Sequence, residues 1–302
     1  MSDAGAGRAA LAELLDHLRL ERLEHNLFRG VSRDIGNQRV FGGQVLAQAL
    51  YAATQTVDPA SRVHSLHGYF LRPGDVTLPI VFDVDRSRDG RRFTARRTVA
   101  VQRGEQILNM ACSFHREEAG LEHQDPMPDV PPPEALADQE LADRRLVERA
   151  PVKLRKFLAH MAPFTFKPVE PLNLLRPEQR APLQHMWVRT VGDLPDDQGL
   201  QRCLLTYVSD YYLIGTATLP HGVSFMQGRV QLASLDHAMW FHRDVRLDDW
   251  LLFRYESPSA SHARGLARSS IFSRDGRLIA STAQEGLVRV RSRPEAGGGQ
   301  EH

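Results

Sequence analysis

The stretch HSLHGYFLR at residues 64–72 recurs in altered form as ASLDHAMWFHR at residues 233–243. A second stretch, GEQILNMACS at residues 104–113, recurs as DGRLIASTAQ at residues 275–284. The two pairs are separated by 169 and 171 residues, so their spacing along the chain is nearly the same. Weak matches that keep one offset indicate an internal duplication. We therefore expect two similar halves, one free to carry chemistry and the other to support it.

The first half combines one helix of small residues with alternating strands. The sequence GGQVLAQALYAA at residues 42–53 is apolar on most sides, which predicts a helix enclosed on several faces. An amphipathic helix is predicted before it, at residues 8–26. Apolar and polar residues alternate in the segments that follow, as in half-buried antiparallel strands. These predicted strands are residues 65–72, 80–88, 92–102 and 106–116.

The second half repeats this pattern. A helix is predicted at residues 210–218, and strands are predicted at 229–235, 237–243, 250–257, 260–273 and 277–290. The expected fold class is α+β, with a curved antiparallel sheet wrapped around a central helix in each half. Joining the two sheets edge to edge would remove two exposed strand edges.

The chain divides into four predicted segments. An N-terminal unit spans residues 1–120, and a proline-rich linker with a charged helix at about 134–161 spans residues 121–163. A C-terminal unit spans residues 164–292, and residues 293–302 are expected to form a flexible tail.

Composition excludes several classes of protein. The 38 Lys and Arg residues nearly balance the 37 Asp and Glu residues, and a net charge of +1 offers no field for a nucleic acid or an anionic membrane. No apolar run approaches the roughly 18 residues of a membrane-spanning helix. The N-terminus lacks the apolar region of a signal peptide, so a cytoplasmic location is expected.

Cys112 and Cys203 lie in apolar runs and are expected to be buried thiols. Two histidine pairs, His64 with His67 and His237 with His242, lack further ligands at metal spacing, so we expect strand or core histidines and no metal.

Six motifs together resemble those of the acyl-CoA thioesterase II family, the TesB-like double-hotdog thioesterases. The resemblance covers most of residues 10–292 and is weakest in the linker. The motifs are Val40–Gln44, Ser65–Pro73, Tyr207–Asp210, Asp236–Arg243, Ser257–Gly265 and Ser281–Gly286.

The resemblance implies hydrolysis of medium- to long-chain acyl-CoA without a cofactor. By motif position the family's catalytic residues are Asp210, Ser234 and Gln284. Ser234 departs from the Thr that relatives often carry, which keeps the hydroxyl and loosens the rotamer. Taken without the resemblance, Asp210 is more typical of a helix N-cap, Ser234 of a strand serine and Gln284 of a backbone partner.

Thioester hydrolysis suits such a site because a thiolate leaves readily without a strong general acid. Asp210, expected at the start of the second core helix, would accept a proton from water. Ser234 and Gln284 would hold the same water, and the Gln284 amide would also donate to the oxyanion. The positive end of the helix dipole would add to this stabilisation.

The sequence also makes predictions about substrate binding and assembly. Arg264 and Arg268 are predicted to contact the CoA phosphates, with solvated strand arginines as the alternative. An apolar acyl tunnel is expected beside the core helix, and exposed sheet edges and faces favour a homo-oligomer. Two other functions remain open: a non-catalytic acyl-CoA binding module, and an enoyl-CoA hydratase of the same fold, although no Asp/His pair typical of those hydratases is found.

Overall fold

The computed structural model describes residues 3–34, 39–136, 152–174 and 176–291. Its four α-helices within these ranges are α1 (Asp3–Leu18), α2 (Gly42–Thr54), α3 (Val152–Met161) and α4 (Gln198–Ser209). The strands are β1 (Glu21–Glu24), β2 (Leu27–Gly30), β3 (Arg62–Phe70), β4 (Ile80–Asp89), β5 (Phe93–Gln102), β6 (Glu105–His115), β7 (Phe164–Pro168), β8 (Leu183–Thr190), β9 (Val230–Ser234), β10 (Asp236–Phe241), β11 (Leu251–Ser261), β12 (Arg264–Ser273) and β13 (Leu278–Val290).

These strands form one antiparallel sheet in the order β1-β2-β4-β5-β6-β3-β10-β13-β12-β11-β8-β7, with β9 beside β13. The two halves meet where β3 pairs with β10, Leu66 lying opposite Met239. The repeated stretches are therefore the four central strands, β6, β3, β10 and β13. The predicted double hotdog, with its two sheets joined edge to edge, is confirmed.

The register of the duplication differs slightly from the spacing read in the sequence. The backbone N–H of Arg72 donates to the Ile107 oxygen at 3.4 Å, and that of Arg243 donates to the Ile279 oxygen at 3.3 Å. Matching these bonds gives an offset of 171 residues in β3 and β10 and 172 in β6 and β13. The offsets read from the sequence, 169 and 171 residues, are therefore smaller than the structural offsets by two residues in the first pair and by one in the second.

The helices α2 and α4 pack against each other inside the sheets. Residues Leu200–Ser209 of α4 are all buried, and α2 is buried from Gly43 to Leu50, as its small residues predicted. A Cβ on Gly43 would lie 2.3 Å from the Tyr207 carbonyl oxygen. The absence of a side chain at Gly43 thus lets the N-terminus of α2 reach the C-terminus of α4.

The predicted helix at residues 210–218 is wrong, because the second core helix lies earlier in the chain. The Asp197 carboxylate accepts the Leu200 N–H at 3.1 Å, which caps the N-terminus of α4. Tyr212 adopts a φ of 61°, a left-handed conformation that interrupts the helix, and residues Ile214–His221 continue as a 3-10 helix. The hydrophobic residues at 211–217 face the core without being α-helical.

The structure describes only the two ends of the predicted linker helix. The helix α3 covers the end of the predicted charged helix, and a short 3-10 helix, Pro133–Ala135, lies near its predicted start. Residues 137–151 and the predicted tail at 293–302 lie outside the described residues. Cys112 and Cys203 are buried free thiols, as expected. No helix in the described ranges has the length and apolarity needed to cross a membrane.

Candidate active site

Asp210 lies where the two halves meet. It is the C-cap of α4, so the prediction that it begins the core helix is wrong. Its Oδ2 atom accepts the backbone N–H of Gly43 at 2.7 Å. The positive end of a helix dipole does lie against this carboxylate, but it belongs to α2 of the first half.

The three predicted catalytic residues come together. Oδ1 of Asp210 accepts Gln284 Nε2–H at 2.6 Å and Ser234 Oγ–H at 3.3 Å. Pairing of β9 with β13, in which Ser234 lies opposite Gly286, brings the hydroxyl into range. A carboxylate has about four lone-pair sites, so the three donors leave one for water.

His237 is a site residue that the sequence analysis assigned to the core. It is fully buried, as expected, but its Nδ1 atom lies 3.1 Å from Gln284 Nε2 and its Nε2 atom 3.0 Å from Ser209 Oγ. Burial lowers the pKa of His237, and the nearby charge of Asp210 opposes this shift. The alternation of β10 could have indicated this position. His237 is the polar member of an inward-facing row of β10 that continues with Met239.

The amide of Gln284 has a defined arrangement. Its two N–H groups are directed to Asp210 and His237, and its Oε1 atom is buried without a hydrogen-bond partner in the described residues. Neither N–H is left for an oxyanion in this arrangement, contrary to the sequence-based expectation.

A cavity of about 490 Å³ opens beside Asp210. Its walls come from Phe41, the segment around 171–184 and the 3-10 helix Ile214–His221 with the residues around it. The helix α4 contributes no lining residue, and the cavity lies beside the segment 210–219 that follows it, where the sequence had predicted the core helix. Most of the wall near the carboxylate is apolar or aromatic, including Tyr211 and Tyr212. Burial raises the pKa of both tyrosines, so their hydroxyls stay neutral.

Arg264 and Arg268 are not brought to this cavity. Both lie on the exposed face of β12, whereas Gln284 faces the interior. The Nε atom of Arg264 is 2.9 Å from Glu285 Oε1, and that of Arg268 is 3.8 Å from Glu256 Oε1. Their contact with CoA phosphates stays a prediction without support from this geometry. The cationic side chains that do line the cavity are Arg176 and Arg180.

Family models match both halves of the chain. The model described as "Acyl-CoA thioesterase N-terminal domain" matches residues 31–115, and the model described as "Acyl-CoA thioesterase" matches residues 161–287. The second match contains all three residues of the carboxylate site.

Similar proteins are found among both curated sequences and solved structures. Acyl-CoA thioesterase 2 of Haemophilus influenzae is 41% identical over 279 residues, which is 92% of this chain and 98% of that protein. Human acyl-coenzyme A thioesterase 8 is 41% identical over 283 residues, 91% of this chain and 88% of that protein. The crystal structure of acyl-CoA thioesterase II TesB2 from Mycobacterium marinum has a TM-score of 0.76 and 42% identity, covering 92% of this chain and 99% of that one. The chain therefore belongs to the TesB-like acyl-CoA thioesterase II family of thioester hydrolases.

Proposed function

We propose that the chain hydrolyses acyl-CoA through a water molecule that Asp210 activates, with Ser234 and Gln284 holding the carboxylate. The observation that carries this proposal is a partly exposed carboxylate at the wall of a largely apolar cavity, contacted by three hydrogen-bond donors and, within the described ranges, by no acceptor. Such surroundings suit an ionised carboxylate that accepts one further hydrogen bond.

The reaction follows from this arrangement. Asp210 accepts a proton from water while the water oxygen bonds to the thioester carbonyl carbon. Collapse of the tetrahedral intermediate breaks the carbon–sulfur bond, and the thiolate leaves with the bond's electron pair. The proton passes from Asp210 to the products, which are a free acid and CoA. The N-terminus of α2 contributes partial positive charge beside the reacting centre.

The cavity supports a medium to long acyl chain as the substrate. Asp210 shares the walls of the cavity with aromatic and aliphatic residues such as Tyr212, Ile214 and Leu232, which suit an apolar chain bound beside the carboxylate. The reaction is tested by measuring thiol release from acyl-CoA esters of increasing chain length.

The same assay separates the other two functions. A binding module would bind acyl-CoA without releasing thiol. A hydratase would instead consume the absorbance of a conjugated enoyl-CoA and leave the thioester intact. Thiol release that depends on the enzyme supports hydrolysis, and its absence from every ester with folded protein contradicts it.

Replacing Ser234 by Ala should lower kcat by about 10-fold, because a hydroxyl bonded to a charged group contributes about 1.5 kcal/mol. The 3.3 Å distance to Asp210 makes Ser234 the weakest of the three donors. Ser234→Thr retains the hydroxyl and should lose less activity than Ser234→Ala in parallel kcat measurements. Equal losses in the two variants would contradict a role for the hydroxyl.

Replacing Gly215 by Leu should shorten the preferred acyl chain. Gly215 lines the cavity, and a Cβ there would meet no atom within 4 Å, so the new side chain would occupy open space. We expect kcat/KM to fall for long-chain esters and to change little for short ones. Gly120→Leu, at an exposed glycine whose Cβ also meets open space, is the control. A uniform loss across all chain lengths would contradict an acyl-binding role for this cavity.

We also propose a cytoplasmic homo-oligomer. The exposed side chains of Tyr69, Trp240 and Leu266 lie on the outer face of the central sheet, where a second copy would cover apolar area. The free thiols of Cys112 and Cys203 fit a reducing compartment. Light scattering of the purified chain tests the assembly, and cell fractionation tests the location.

A further inference from the structure

His237 connects the candidate site to the C-terminal end of α4. Ser209 donates its hydroxyl hydrogen to the Thr206 carbonyl oxygen at 2.9 Å, so its Oγ atom is free to accept from His237 Nε2–H at 3.0 Å. The ring then carries its proton on Nε2 and leaves Nδ1 as an acceptor. The Gln284 amide donates to that acceptor at 3.1 Å.

This acceptor acts together with the Asp210 carboxylate to set the orientation of the Gln284 amide. The terminal torsion of a Gln side chain is broad, so its amide has no strong intrinsic orientation. A reversed amide would place Oε1 against the Asp210 oxygen and the Nδ1 lone pair of His237, which are both acceptors. The observed orientation avoids both repulsions and directs one N–H at Asp210 from 2.6 Å.

We propose that His237 is a positioning residue that holds the Gln284 amide with its N–H toward Asp210. The inference rests on the function proposed above, because it assigns His237 a part in arranging the same carboxylate. His237 itself does not touch the reacting atoms in this assignment.

The duplicated half shows the same positions without the polar pair. Leu66 stands as far before Arg72 as His237 stands before Arg243, and the backbone bonds of the two arginines correspond. By the same match of β6 with β13, Cys112 corresponds to Gln284. Both inward-facing positions are apolar in the first half and polar in the half that holds Asp210. The His and the Gln thus occur together with the carboxylate.

Two variants of His237 separate positioning from packing. In His237→Asn, the side-chain oxygen can take the place of Nδ1 and accept from Gln284. In His237→Gln, the longer amide can replace Nε2 toward Ser209 but leaves a methylene beside Gln284. Leaving the buried Gln284 N–H unpaired should lower kcat by about 10- to 100-fold in His237→Gln. We expect a smaller loss in His237→Asn and a similar KM in both. Equal losses, or a larger loss in His237→Asn, would overturn the proposal.

A double-mutant cycle tests whether His237 acts through Gln284. In a Gln284→Ala background, His237→Gln should lower kcat by less than about 3-fold, since the group that His237 orients is gone. Additive losses in the cycle would show an independent, structural role and overturn the proposal. Thermal unfolding of each variant identifies any that fail to fold, and His237→Leu, which carries the residue found at position 66 and also removes the acceptor, replaces His237→Gln in that case.

A measurement without turnover keeps this inference distinct from the proposed function. Nitrogen NMR of the wild-type ring should show His237 protonated on Nε2, and Gln284→Ala should shift its Nδ1 resonance. An Nδ1-protonated ring would overturn the positioning role even if the enzyme is active. If Asp210→Asn retains full activity while this signature is present, the catalytic assignment fails and the hydrogen-bond arrangement stands.

Discussion

Asp210→Asn should lower kcat for acyl-CoA hydrolysis by at least about 100-fold, since a positioned general base contributes at least that much. The Asn side chain has nearly the same shape, but it presents one oxygen and one NH2 group where the carboxylate presents two acceptors. Either Gly43 N–H or the Gln284 and Ser234 donors must then face an NH2 group. We therefore also expect a loss of about 1–3 kcal/mol in the free energy of unfolding, with the fold retained.

Thiol release and urea denaturation, measured side by side, check both parts of this prediction. The matched control is Asp197→Asn at the other end of α4, where the carboxylate caps the helix N-terminus. Asn caps helices about as well as Asp, so this variant removes a charge from the same helix without disturbing the site. Turnover near the wild-type level in Asp210→Asn would remove the carboxylate from the mechanism.

Gly43→Ala should lower both activity and stability, because the position has no room for a methyl group. A Cβ there would lie 2.3 Å from the Tyr207 carbonyl oxygen, 2.7 Å from Phe41 Cε1 and 3.0 Å from Asp210 Cβ. A backbone oxygen in a buried helix cannot turn aside, so α2 and α4 must separate. The hydrogen bond from Gly43 N–H to Asp210 would lengthen with them. Displacement on the order of 1 Å can cost about 100-fold in rate, and overpacking costs about 1–3 kcal/mol.

The test is kcat and the urea midpoint of Gly43→Ala beside those of Gly120→Ala. Gly120 is exposed and a Cβ there meets nothing within 4 Å, so its replacement should change neither quantity. Wild-type kcat and stability in Gly43→Ala would show that the two helices are not held at this distance in solution.

The strands could be predicted because the alternation that identifies a strand lies among neighbouring residues in the sequence. Alternation of apolar and polar residues predicted the positions of β3, β5, β6, β12 and β13 to within a few residues. The repeated stretches indicated two halves, but only the structure shows that they form the four central strands and that β3 joins β10. Motif resemblance likewise identified Asp210, Ser234 and Gln284, which the structure places in contact.

The local sequence pattern gave a wrong prediction for the second core helix, which is surrounded by protein on several sides. The polar residues of α4 do fall at helical spacing, but Gln201, Arg202 and Thr206 are buried like its apolar residues, so the helix has no solvent-facing side of the kind that marks a surface helix. The local pattern instead favours a helix in the segment that follows, at residues 210–218. The distance from Arg264 and Arg268 to the cavity was equally undetermined, because alternation indicates that two residues share a side of a strand but not what lies beside it in the fold.

The residue pattern alone established two duplicated α+β halves, their long antiparallel strands and the residue types available for thioester chemistry. The tertiary structure alone decided that Gly43 of one half meets Asp210 of the other, 167 residues away in sequence. It also placed the His237 ring in contact with the Gln284 amide, across the pairing of β10 with β13. Such contacts depend on the crossing of two helices and on strand register, which are set by packing of the whole core rather than by neighbours along the chain.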